Sequence, residues 1–436
     1  MRYFDRKHEC MSADEMKKIQ DERLINTVER VYNNVRFYHD RMDEHGLKPS
    51  DIKGIQDLHK LPFMTKADLR DYYPFGCFAV PKEKIVRIHA SSGTTGKPIV
   101  VGVTKNDIKI WADCMARCLA MTGATKHDVI QISYGYGLFT GGLGAHYGSE
   151  RLGALTIPTS GGNTARQIQL MQDLGSTVLC CTPSYALYLA DYIRDNNIPL
   201  SNFKLKAGVF GAEPWSESMK EEIEQRLGLK AYDIYGLSEV MGPGVAMSCN
   251  HGEGLHVNAD HFVPEIINPE TGEVLKEGET GELVFTCITK EALPMIRYRT
   301  RDLSSLTYGT CECGRTLPKM KKVIGRSDDM LIIRGVNVFP SQVESVLLSM
   351  GQVEPHYMLY VDRKGYLDEL SIEVEMTSEM FSDKIENISA IERKLQNQIH
   401  AVLNINADVR LVAPKSIPRS EGKAKRVIDR RNLFNK

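Results

Sequence analysis

No charge of one sign dominates this chain: 55 lysines and arginines stand against 56 aspartates and glutamates, a net charge of −1. That balance leaves no global field to draw the protein onto nucleic acid or an anionic membrane, so partners must be recognised locally. Long apolar runs are also missing. Stretches such as Val178–Cys181 fall far short of a membrane-spanning helix. Met1–Met11 is charged where a signal peptide would be apolar. No internal repeat or low-complexity tract is present. What remains is a globular composition, 42% apolar and 25% charged, over 436 residues, which predicts two or more domains. The 10 cysteines are irregularly scattered, which fits a reducing cytosol better than a disulfide framework, so a cytoplasmic location is expected.

The patterning predicts an α/β protein. Ser12-Ala-Asp-Glu15 is a capping box, and Leu24, Val28, Val31 and Val35 follow at helical spacing. From Ile85 the texture turns to short apolar strands alternating with helices: Ile85–Ala90, Ile99–Val103, Asp128–Ser133, Thr177–Thr182, Leu205–Phe210 and Ala231–Tyr235. Such alternation indicates parallel sheet covered on both faces. Glu282–Ile288 is assigned to a further sheet. The expected domains are residues 1–325, with a helical leader over about 1–80 and parallel sheets flanked by helices, and residues 326–436, a small mobile α+β unit.

The most informative segment is Ser91-Ser92-Gly93-Thr94-Thr95-Gly96-Lys97-Pro98. Its glycines let the backbone approach phosphate oxygens, and four hydroxyls with one lysine supply donors. It is not a Walker A loop, because the glycine spacing is too short and proline follows the lysine. An ordinary turn between strands is the competing reading.

This loop resembles the phosphate loop of the acyl-adenylate-forming superfamily. The family's other motifs follow in order: Tyr235-Gly-Leu-Ser-Glu239, Tyr298-Arg-Thr-Arg-Asp302, Gly325-Arg-Ser-Asp328 and Ser420-Glu-Gly-Lys423. Thr289–Asp302 and Gly325–Pro340 are similar to phenylacetate–CoA ligases in particular, and the resemblance covers nearly the whole chain.

The resemblance implies a nucleotide site formed by Ser91, Ser92, Gly93, Thr94, Thr95, Gly96, Lys97, Gly211, Ala212, Glu213, Asp233, Tyr235, Gly236, Ser238, Asp302 and Arg326. Tyr235 offers a ring to adenine, Ser238 a donor to phosphate, and Glu239 a hard oxygen for Mg²⁺. Asp302 has the family's ribose-binding role; the bland reading is a surface pair with Arg299 or Arg301. Gly211-Ala212-Glu213 resembles the adenine-side loop, though it also reads as a helix start. Arg326 and Asp328 sit at the implied hinge, and Gly335 resembles a turn near the pantetheine arm of coenzyme A. Only Lys423 of the cationic tail matches the catalytic lysine; Lys425 and Arg426 are expected as surface or phosphate-edge charges. For the acyl pocket, Tyr134, Tyr136 and Phe139 offer aromatic walls, although core packing explains them too.

Cys311-Glu-Cys313 is a knuckle at zinc-ligand spacing that needs two more ligands. Cys249 and His256 are favoured, His251 is the alternative, and free cysteines on a loop are the bland reading. The cysteines' absence from some family members implies structural rather than catalytic zinc.

The expected function is therefore a two-step ligase: phenylacetate, ATP and coenzyme A give phenylacetyl-CoA, AMP and pyrophosphate through an acyl-adenylate. The alternatives are another acid, an amine or carrier-protein acceptor, a nucleotide-binding sensor without chemistry, and a zinc-dependent nucleic-acid binder, which the charge balance disfavours. A homodimer is a further expectation.

Overall fold

The computed structural model describes residues 3–91, 98–327, 331–333, 336–351, 353–364, 367–382, 388–420 and 422–431. Helix Ala13–Asn34 starts at the capping box: Ser12 Oγ accepts the Glu15 N–H, and the Glu15 carboxylate accepts the Ser12 N–H at 2.9 Å. Its buried stripe of Leu24, Val28 and Val31 seats the leader on the main core. The first residues are stapled further along the chain, where buried Glu9 accepts from buried Arg315 at 2.7 Å.

The centre of the molecule is a nine-stranded sheet. Five strands run parallel, in the order Lys230–Leu237, Ala207–Gly211, Val178–Cys181, Val129–Ile132, Leu155–Ile157. Antiparallel strands Gly242–Ser248, Leu255–Val257, Lys319–Met320 and Leu306–Thr307 extend the other side. Strand alternation splits the core between the two faces. Val178, Cys180 and Val209 join one apolar cluster; Leu179, Cys181 and Phe210 join another. Helices Lys105–Met121 and Thr140–Leu152 cover the first face, packed so closely that a Cβ on Gly148 would lie 2.3 Å from Met115. Helices Thr164–Asp173, Pro183–Asp195 and Glu217–Leu227 cover the second.

One expected pair of strands leaves this pattern. Ile85–Ala90 and Val100–Thr104 form a separate antiparallel two-stranded sheet, because residues 91–99 between them are too few for the crossover that a parallel pair needs. A four-stranded antiparallel sheet contains Phe262–Ile267, Gly281–Cys287, Tyr298–Ser304 and Gly325–Arg326, and sets Asp302 opposite Arg326.

Residues from Leu331 onward build their own apolar cluster. Strands Val353–Lys364 and Leu367–Met376 pair antiparallel, Ala407–Val412 and Val427–Asp429 add parallel edges, and helices Pro340–Ser349 and Ile388–Leu403 pack against them. This small unit is docked by charge. Glu354 accepts from Arg194 at 3.1 Å and Arg226 at 2.9 Å, and His356 Nε2 meets Asp191 at 2.8 Å. Among the described residues, no helix is long and apolar enough to cross a membrane.

Candidate active site and metal-ligand cluster

The central parallel strands end along one edge, where open α/β sheets place ligands. Ala207–Gly211 runs out into Ala212, whose φ of 74° turns the chain sharply. Beside it, Lys230–Leu237 carries Tyr235 and Gly236 inside the strand rather than after it. Any side chain at Gly236 would collide with the Gly242 carbonyl, 1.7 Å from its Cβ, so glycine is required there. Between these ends lies a cleft lined by Ala212, Glu213, Asp233, Tyr235 and Gly236 from the strand ends, Asp302 and Arg326 from the second sheet, and Lys423 from the small unit. All eight were expected at the nucleotide or in catalysis.

The electrostatics of the cleft follow from burial. Tyr235 donates to Asp302 Oδ2 at 2.6 Å, and its phenol is pushed well above the ordinary value by burial and by the Asp302 charge. It therefore stays a donor, orienting Asp302. Arg326 approaches the other Asp302 oxygen at 4.0 Å. Asp302 is only 5% exposed, and Arg299 and Arg301 turn to Glu282 instead, so the surface-pair reading of Asp302 fails. Asp233 is raised by burial, with Lys322 pulling the other way. Glu213 is also raised by burial, against the N–H groups of Ser184 and Ala424 and the Arg426 charge.

The remaining expected residues lie around or away from this lining. Gly211 ends its strand, and Ser238 Oγ faces Thr140 Oγ1 at 3.3 Å. Glu239 is buried; its ion-pair partner is Lys66 Nζ at 3.8 Å, and its carbonyl accepts from buried Lys290 at 2.8 Å. The Ser91 N–H donates to the Ile99 carbonyl. Ser92, Gly93, Thr94, Thr95, Gly96, Lys97, Asp328 and Gly335 lie outside the described residues. The three aromatic pocket candidates differ in burial and in partners. Tyr134 is buried, its hydroxyl 3.4 Å from the Val209 carbonyl; Tyr136 meets His146 at 3.3 Å; Phe139 is 43% exposed. Lys425 is exposed, but Arg426 corrects its expected surface role. It stacks on the Tyr357 ring at 4.6 Å and reaches Ser184 Oγ at 3.4 Å, bracing the two units against each other.

Eight lining residues were missed, four of them with large side chains that shape the wall: Trp215, Leu255, Met320 and Lys322. Trp215 sits under the Lys322 ammonium at 4.1 Å, and Leu255 and Met320, neighbours in the sheet, add an apolar wall. Trp215 had a signal, an aromatic just past a strand end. The others come from segments whose convergence no local pattern announces.

Cys249, His256, Cys311 and Cys313 bring their ligand atoms within 4.8 Å of one another. Cys249 Sγ lies 3.8 Å from Cys311 Sγ, and Cys313 Sγ lies 3.4 Å from His256 Nε2. A tetrahedral zinc with sulfur arms of about 2.3 Å and nitrogen arms of about 2.0–2.1 Å sets such edges at roughly 3.5–3.8 Å. The donor set and spacing fit. His251 is not in the cluster: its ring turns to Glu312 at 3.5 Å, and only its backbone meets the sulfurs. Burial opposes the Cys313 thiolate, but the His256 ring and Arg315 bring its pKa down to about 5.

With that geometry in place, two family profiles match the chain. The AMP-binding enzyme profile matches residues 22–287, and the AMP-binding enzyme C-terminal domain profile matches residues 335–431. The chain belongs to the AMP-binding enzyme family. Within it, the chain is 52% identical to a phenylacetate–coenzyme A ligase of Escherichia coli (strain K12), over 98% of this chain and 97% of that one. Among solved structures it resembles 2-hydroxyisobutyryl-CoA ligase, at 30% identity, covering all of this chain and 94% of that one. The TM-score is 0.94 for that enzyme's postadenylation state with 2-HIB-AMP, and 0.73 for its thioesterification state with 2-HIB-AMP and CoA.

Proposed function

We propose that this protein is an AMP-forming phenylacetate–coenzyme A ligase. The observation that carries the proposal is the single cleft lined by Lys423 of the small unit and by Tyr235, Asp302 and Arg326 of the large one. Full-length likeness to the ligase of E. coli supports the choice of acid.

In this reading ATP lies along the strand ends. Its adenine rests by Ala212 and the Tyr235 ring, and the ribose hydroxyls donate to Asp302 in place of weaker solvent contacts. The loop Ser91–Lys97 receives the phosphates. Glu239, buried with its cation partner beyond hydrogen-bonding distance, fits a hard divalent cation. Bound there, Mg²⁺ would neutralise phosphate charge. A carboxylate oxygen of phenylacetate attacks the α-phosphorus, and the bond to the β-phosphate's bridging oxygen breaks. Lys423 stabilises the negative charge that gathers on the α-phosphate and the attacking carboxylate. The thiol of coenzyme A, losing its proton, then attacks the carbonyl carbon, and AMP leaves with the former carboxylate oxygen. Residues 326–436 are the mobile part, pivoting near Arg326 and Asp328, with Gly335 facing the pantetheine arm. The 0.94 against 0.73 likeness to the two states of the solved ligase supports an arrangement of the units like that of its postadenylation state. We also place one structural Zn²⁺ on the four-residue cluster, and the enzyme in the cytoplasm.

A panel of acids tests the substrate. Thioester formation with ATP, Mg²⁺ and coenzyme A is expected to be faster for phenylacetate than for benzoate, one methylene shorter, by about 10- to 200-fold in kcat/KM. A higher value for a short-chain, long-chain or other aryl acid reassigns the acid, and product without coenzyme A reassigns the acceptor. Asp302→Asn tests the ribose contact. AMP affinity should fall by about 10- to 100-fold, as hydrogen bonds to a charged acceptor weaken; unchanged binding by calorimetry removes Asp302 from the site. A sensor lacking chemistry is disfavoured by the joint presence of Glu239, Asp302 and Lys423.

A further inference from the structure

Glu213 lines the cleft, yet its carboxylate is already engaged elsewhere. Oε1 accepts the Ser184 N–H at 2.8 Å, at the start of helix Pro183–Asp195. Oε2 accepts the Ala424 N–H at 2.7 Å, from the residue following Lys423. The two donors belong to different units of the protein. On the other side of the lysine, Thr182 Oγ1 donates to the Gly422 carbonyl at 3.1 Å. Within the small unit, Ser420 Oγ donates to the Lys423 carbonyl at 3.1 Å. The main chain on both sides of Lys423 is thus fixed to the end of strand Val178–Cys181 and to the Glu213 turn, while the lysine side chain remains free to point into the cleft.

We infer that Glu213 is a positioning residue for Lys423: its carboxylate holds the lysine-bearing segment in the adenylating arrangement and has to release it before thiol transfer. The inference deepens the ligase reading and rests on it. The reason is geometric. A long, flexible lysine stabilises a developing charge only if its backbone is already placed, and placement costs entropy that a hydrogen-bonded anchor offsets. A carboxylate accepting two main-chain N–H groups is a strong but reversible anchor. When the small unit turns, the Ala424 and Gly422 bonds break with the other contacts between the units, whereas the Glu213 bond to the Ser184 N–H stays within the large one.

The test separates the half-reactions. Glu213→Gln keeps the shape but presents an NH₂ to one of the two N–H donors; Glu213→Ala removes both acceptors. Phenylacetate-dependent ATP–pyrophosphate exchange is expected to fall by about 10- to 100-fold in Glu213→Gln and further in Glu213→Ala, the range for lost hydrogen bonds to a charged acceptor. Thioester formation from saturating phenylacetyl-adenylate and coenzyme A should fall much less than exchange does in both variants, because Lys423 has left the site by then. In a Lys423→Ala background, Glu213→Gln should have no further effect on exchange, since its influence runs through the lysine. Equal losses in both half-reactions, additive effects in the double variant, or weakened AMP binding as the sole change would overturn the assignment. A wild-type enzyme without exchange activity would instead bring down the ligase reading itself.

Discussion

Lys423→Ala is expected to lower phenylacetate-dependent ATP–pyrophosphate exchange by about 100- to 1000-fold, the usual loss when one preorganised donor to a developing oxyanion is removed. The same variant should convert supplied phenylacetyl-adenylate to thioester at near wild-type rate. The split follows from where the lysine sits. It belongs to the small unit, closes the cleft from one side, and is held there by bonds that cross between units. No other side chain of the cationic tail can substitute for it: Lys425 is exposed outside the lining, and Arg426 is committed to Tyr357 and Ser184. Lys423→Arg should rescue poorly, because a planar fork does not replace a compact ammonium. Loss of both half-reactions together in Lys423→Ala would show that the residue holds the fold or the nucleotide rather than the adenylation transition state.

Cys313→Ser is expected to abolish bound zinc and to lower the thermal midpoint by roughly 5–10 °C, the shift for several kcal/mol lost with a structural metal. The effect should be large because the cluster sits at a junction. Strand Leu255–Val257 carries His256, and the turn at Cys311–Cys313 leads into Arg315, which pairs with buried Glu9 and so anchors the leader. The Tyr3 hydroxyl also donates to the Cys313 carbonyl at 2.8 Å. On the cleft side, Leu255 and Met320 lie in the same strand pairing, so AMP affinity should weaken alongside stability. Zinc content by atomic emission and the melting curve decide it. Wild-type protein without stoichiometric zinc, or a serine variant that melts as wild type does, would make the four residues an unmetallated thiol cluster.

How far the sequence carried depended on the range of each interaction. The Ser12–Glu15 capping box and the Leu24–Val28–Val31 stripe were legible because a helix start and a helix face are written within a few residues. The parallel strands were legible because, covered on both faces, they read as continuous apolar runs. The pairing of Ile85–Ala90 with Val100–Thr104 apart from the main sheet was not, since strand partners are chosen by tertiary context. The choice of His256 over His251 was likewise closed to spacing alone. Both follow Cys249 closely, and only the strand Leu255–Val257 turns one ring toward Cys313. Motif resemblance located Glu213 in the cleft but not its grip on Ala424, because a carboxylate's partners come from the far end of the chain. Trp215 was within reach of a closer reading; Leu255, Met320 and Lys322 were not.

The central claim is that the acid's own oxygen attacks the α-phosphorus of ATP. Turnover of phenylacetate labelled with ¹⁸O in its carboxylate, followed by mass spectrometry of the products, tests it directly. One labelled oxygen in AMP and none in pyrophosphate is the predicted result. Label in orthophosphate with ADP as co-product, or unlabelled AMP, would contradict the acyl-adenylate route.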